Sequence, residues 1–125
     1  MTKAVDIAEA GYTIKAWVNF NGRSTSNSVG PCTIRDQYNV SSCNWDADGK
    51  FTINFTNDLN DENYSFSGTA MRFATGHTQG LAVYPLNSTT YTDAYNKSYL
   101  KIYIQREPNA AFDDPLSANL IVFGS

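Results

Sequence analysis

The side chains in this sequence best suited to nucleophilic or metal chemistry are one histidine, His77, and two cysteines, Cys32 and Cys43. None of them stands in a reactive pattern. His77 lies between Gly76 and Thr78, and no Ser or Asp occupies the strand-turn-helix setting that would make it the base of a triad. It reads as a surface histidine in a loop. A zinc centre needs about four Cys, His or carboxylate ligands, and neither cysteine has such company. The pair reads as two small buried hydrophobes or as one bridge between neighbouring strands.

Oxygen ligands come closer to a pattern. Asn44-Trp45-Asp46-Ala47-Asp48-Gly49 matches the first half of a calcium loop, in which alternate oxygen side chains precede a glycine. The bidentate Glu required at the end of that loop is replaced by Phe55. A hairpin turn accounts for the same residues. Asp58, Asp61 and Glu62 form a second acidic group, which reads as solvated loop acids. No catalytic constellation, metal site or cofactor is therefore expected, and the chain is not expected to be an enzyme.

What remains is contact chemistry. The chain carries eight Tyr, seven Phe and two Trp, together 14% of its residues. Tyrosine and tryptophan offer a large apolar area with a polar tip, which suits half-wet interfaces. Trp17, Tyr99 and Tyr103 are the predicted oligomer contacts. The same chemistry stacks on sugar faces, so Tyr91, Tyr95, Tyr103 and the loop around His77 are the alternative glycan contacts. Five Asn-x-Ser/Thr triplets, at Asn39, Asn54, Asn63, Asn87 and Asn96, reflect a chain rich in Asn, Ser and Thr.

The bulk numbers limit the partners. A chain of 125 residues with 42% hydrophobic and 17% charged residues buries one modest core. Net charge of −3 and a pI near 4.9 supply no basic field for a phosphate backbone or an anionic bilayer, so neither nucleic acid nor membrane is an expected partner. The first ten residues include Asp6 and Glu9, so no secretory signal is expected there. An aqueous compartment is implied.

The elements that must position these side chains are strands. Tyr12, Ile14, Ala16, Val18 and Phe20 alternate with Thr13, Lys15, Trp17 and Asn19, a period-two pattern ending at the turn dipeptide Asn21-Gly22. Thr33 to Cys43 reads as two short strands or one bent strand. Phe51, Ile53 and Phe55 alternate with Thr52, Asn54 and Thr56, and an Asp48-Gly49 turn joins this strand to the one before it. Further strands are predicted at Tyr64 to Phe73, Leu81 to Leu86 with Pro85 at an edge or end, Tyr99 to Gln105, and Asn119 to Phe123. Thr75 to Gly80 reads as a flexible loop, Asn87 to Lys97 as a polar stretch without helical period, and Pro108 to Pro115 as a loop. The pattern predicts an all-β chain, a single-domain β-sandwich or jelly-roll-like fold over residues 12–125, with residues 1–11 as a short docking segment.

Several blocks follow one another in order: Lys15-Ala16-Trp17-Val18-Asn19-Phe20-Asn21-Gly22, Ile34-Arg35, Tyr38-Asn39-Val40-Ser41-Ser42, Gly49-Lys50-Phe51-Thr52-Ile53-Asn54-Phe55 and Asp61-Glu62-Asn63-Tyr64. As a set they resemble a module of virion structural proteins of tailed bacteriophages, found in tail fibres and other particle-surface proteins. Ile121-Val122-Phe123-Gly124 is similar to its usual ending. Residues 15–66 carry the resemblance and residues 67–115 do not. Cys32 and Cys43 stand where the module usually has aliphatic residues.

The resemblance implies a structural protein on the outer surface of a phage particle, assembled in the host cytoplasm. Because almost nothing precedes the module, where tail fibres usually carry a shaft, the placement it suggests is a capsid decoration or cement protein, a homotrimer in contact with the major capsid protein. The alternatives are a tail-fibre or head-fibre tip that binds host surface polysaccharide, and a carbohydrate-binding module.

Overall fold

The computed structural model describes residues 13–73, 80–107 and 109–125. The expected docking segment at residues 1–11 and most of the loop around His77 lie outside the described residues.

Among the described residues there are ten strands and one short helix: β1 (Thr13–Asn21), β2 (Gly30–Pro31), β3 (Thr33–Tyr38), β4 (Val40–Ala47), β5 (Lys50–Phe55), β6 (Ser65–Met71), β7 (Gly80–Pro85), α1 (Tyr91–Ala94), β8 (Tyr99–Glu107), β9 (Ala111–Phe112) and β10 (Ser117–Gly124). They form two antiparallel sheets packed face to face. One has the order β3-β1-β10-β6, and the other runs β2-β4-β5-β8-β7 with β9 paired to β8. The all-β sandwich read from the alternation is what the chain forms.

Alternation explains the packing directly, because successive side chains of a strand point to opposite faces. Ala16, Val18 and Phe20 of β1 and Ala118, Leu120 and Val122 of β10 face inward from the four-stranded sheet. Phe51, Ile53 and Phe55 of β5 and Leu100, Ile102 and Ile104 of β8 face them from the other. The two layers meet ring to ring where Phe20 packs edge-on against Phe51, with centroids 5.3 Å apart.

Asn39 explains why Thr33 to Cys43 is two strands. Its φ of 56° is left-handed, a conformation Asn tolerates better than most residues, and it turns the chain from β3 in one sheet to β4 in the other. Its side chain holds the corner. Nδ2 donates to the carbonyls of Lys15 and Asn57, each at 3.1 Å, while Oδ1 accepts the Asn57 N–H at 2.8 Å.

The Asp48-Gly49 turn closes the β4–β5 hairpin, and here glycine is required. Gly49 has φ of +66°, and a Cβ would lie 2.5 Å from the Ile104 carbonyl oxygen.

Three expectations need correction. Ile14 is 52% exposed instead of inward, because the β1–β10 register shifts between Ile14 and Ala16. The stretch Asn87 to Lys97 contains one helical turn, α1, too short to show a helical period. Pro108 to Pro115 includes the two-residue strand β9. The edge reading of Pro85 stands, since it ends the edge strand β7.

Candidate binding surfaces

The thiols are free and buried. The Cys32 N–H donates to the Cys43 carbonyl at 2.6 Å, tying the residue between β2 and β3 to β4. Burial pushes the Cys32 thiol up to about 11 and raises Cys43 further, so neither is a nucleophile near neutral pH. Trp45 of the half calcium loop points inward, and its indole N–H donates to Asp114 Oδ1 at 3.0 Å. Among the described residues no group of three or more His, Cys, Asp and Glu side chains could hold a metal ion.

The outer face of the four-stranded sheet carries an apolar row. Tyr38 on β3 pairs with Trp17 on β1, which pairs with Ile121 on β10. Their side chains are 54%, 36% and 41% exposed, so three large apolar groups in register stand open to solvent. Trp17 and Ile121 also line a shallow groove with Asn19, Asp36 and Asn119. An apolar row rimmed by amides and an acid has the composition of a contact surface.

The outer face of the other sheet carries a different arrangement. Tyr103 on β8 pairs with Tyr84 on β7, and their rings stack with centroids 5.0 Å apart and planes 22° from parallel. Phe112 of β9 meets Tyr103 at 5.8 Å and 81°, so floor and wall form an aromatic corner. Lys50 Nζ lies 5.0 Å from the Phe112 ring centre. Asn87 and Gln105 join Lys50, Tyr103 and Phe112 around a depression of about 310 Å³, with Tyr84 stacked beside it. The Tyr84 hydroxyl donates to Glu107 Oε1 at 2.5 Å, a bond that raises its pKa.

The predicted site residues are thus divided. Trp17 lies on one outer face of the sandwich and Tyr99 and Tyr103 on the opposite one, so the three do not share a patch. Tyr91 and Tyr95 belong to a further cluster. Tyr91 opens α1 and Tyr95 directly follows it; their rings stack at 4.8 Å and 7°, and Tyr95 packs edge-on against buried Tyr64 at 5.3 Å. Tyr64 continues to Phe55 in the core at 5.9 Å, so Tyr95 serves packing more than recognition. Burial raises both Tyr64 and Tyr95. Tyr91 is 51% exposed and its hydroxyl donates to the Glu62 carbonyl at 2.7 Å. His77 lies outside the described residues.

Sequence reasoning missed Tyr38, Ile121, Tyr84 and Phe112. Tyr38 and Ile121 were legible only as strand residues, since their approach to Trp17 depends on long-range pairing. The β7–β8 and β8–β9 registers, which assemble the aromatic corner, have no local signal.

No family model matches the sequence, and neither the curated proteins nor the solved structures include a significant match.

Proposed function

We propose that the chain is a structural protein on the outer surface of a tailed-phage particle, a capsid decoration or cement protein that acts by contact between copies and with the major capsid protein. The ordered blocks from Lys15 to Tyr64 support the phage setting. The observation that carries the contact role is the exposed row Tyr38–Trp17–Ile121. Desolvating such a row against a second copy gains roughly 25 cal/mol for each Å² of apolar surface removed from water. The row therefore belongs to the interface of a homotrimer, with copies closed around a threefold axis on the shell. Many copies on one lattice reinforce each other.

The experiment is addition of purified protein to particles from which it has been stripped or deleted. Wild-type protein rebinds to saturation and raises the temperature of head disruption. Trp17→Asp and Ile121→Asp variants, still folded, rebind weakly. Saturating rebinding by both variants contradicts the assignment of the row.

A second reading is favoured by one observation, the corner formed by Tyr84, Tyr103 and Phe112. An aromatic floor and wall with Lys50, Asn87 and Gln105 nearby suit a sugar ring, stacking its apolar face and bonding its hydroxyls. In that reading the protein is a fibre-tip domain for host polysaccharide. Salt-resistant binding that is lost in Tyr103→Ala supports it, and equal binding by the variant removes it.

A further inference from the structure

Three of the four arginines in the chain, Arg23, Arg72 and Arg106, line one depression of about 260 Å³ together with Phe73 and Asp113. They come from the loop after β1, from the residue after β6 and from β8, so only the fold brings them together. Asp113 Oδ2 lies 3.3 Å from Arg72 Nε and 3.7 Å from Arg106 Nε. The Arg23 guanidinium sits 4.1 Å over the Phe73 ring. The nearby Asp114 carboxylate is turned inward to Trp45 and the Gly49 N–H.

Two features of this cluster ask for an anion from outside. Arg23 and Arg106 by themselves outnumber Asp113, the one carboxylate that lines the depression among the described residues, a local positive excess although the chain as a whole carries −3. Arg106 Nε is also buried without a hydrogen-bond partner among the described residues, its distance to Asp113 being too long for one. Guanidinium groups match oxyanions with paired N–H donors. The chain, at −3, offers no extended basic face for a phosphate backbone, and one depression of this size suits one anionic group at a time.

We propose that this depression binds one oxyanion group, a carboxylate or sulfate, free in solution or carried on an acidic polysaccharide. The site stands apart from the apolar row and the aromatic corner and depends on neither.

The test is a titration of ¹⁵N-labelled protein, at constant ionic strength, with sodium sulfate, glucuronate, neutral glucose and the polyuronate alginate, following the arginine Nε–H signals. Sulfate and glucuronate shift the Arg72 and Arg106 signals saturably, with dissociation constants on the order of millimolar, and glucose does not. Arg23→Gln, a change in an exposed loop, weakens binding about fivefold, the scale of one exposed charge contact. Asp113→Asn strengthens it by a similar factor, because the competing carboxylate is gone. Alginate binding tighter per uronate than glucuronate assigns the polysaccharide source, and equal binding assigns the free anion. Absence of a saturable shift, or unchanged affinity in folded Asp113→Asn and Arg23→Gln, overturns the site.

Discussion

Trp17 and Tyr38 are direct cross-strand partners on β1 and β3, and both rings face solvent on the outside of the four-stranded sheet. Cross-strand aromatic pairs contribute roughly 0.2 to 1 kcal/mol to a sheet. Such a pair accounts for a modest local gain and leaves most of the exposed apolar area uncovered. The proposed contact between copies would cover the remainder.

If copies meet through this row, Trp17→Ser and Ile121→Ser reduce self-association while changing stability by less than about 1 kcal/mol, as surface substitutions do. Sedimentation at micromolar concentration checks it. Wild-type protein runs at three times the chain mass of 13.8 kDa, and the double variant runs as a monomer. A wild-type monomer, or a trimer in the variant, removes the row from the interface.

Asp114 is the internal anchor of the end that holds the Asp48-Gly49 turn. Its Oδ1 accepts both the Trp45 indole N–H at 3.0 Å and the Gly49 backbone N–H at 2.8 Å. Asp114→Ala leaves both donors without that partner and costs roughly 2 to 4 kcal/mol, since each orphaned buried group costs about 1 to 3 kcal/mol. Asp114→Asn keeps an acceptor oxygen and costs less. Urea unfolding of the two variants ranks them.

Asn39 makes a similar prediction for the opposite kind of element, a corner between sheets. Asn39→Ala loses the three side-chain bonds to Lys15 and Asn57 and places alanine in a left-handed conformation. A loss of roughly 2 to 4 kcal/mol follows from strain and unmade bonds together. Asn39→Gly keeps the backbone and loses only the bonds, so it is the milder of the two. The reverse order in denaturation would show that the corner is not set by its backbone conformation.

The buried thiols and phenols give the chain an alkaline limit. Cys32, Cys43, Tyr64 and Tyr95 all have folded-state pKa values raised by burial. Above their unfolded pKa values the unfolded chain loses protons that the folded chain keeps, so stability falls as pH rises. Because the Cys32 pKa moves from 9.0 to about 11, its share of the decline runs across that interval. Denaturation midpoints stay level at pH 7 to 8 by these groups and drop above about pH 9. A thiol reagent at pH 8 reacts with neither cysteine in the native protein and with two on unfolding.

Much of the fold was legible because alternation in β1, β5, β8 and β10 follows from burying one face of a strand. The Asp48-Gly49 turn was legible because few residues tolerate positive φ. The one-turn helix α1 and the two-residue strands β2 and β9 were not, since so few residues carry no periodicity. The surfaces were less legible than the core. Trp17 could be assigned outward from its strand, but its neighbours Tyr38 and Ile121 lie 21 and 104 positions away along the chain. The arginine depression was invisible for the same reason, as residues 23, 72 and 106 share no local pattern. Grouping Trp17 with Tyr99 and Tyr103 failed because all three point outward, but from different sheets.

The copy number of the chain in purified particles tests most directly the proposed role of this sandwich as a contact protein on a phage particle. Quantitative mass spectrometry against the major capsid protein is predicted to give a fixed ratio that matches a set of lattice sites. Absence of the chain from particles, or a handful of copies per particle, would contradict the capsid assignment.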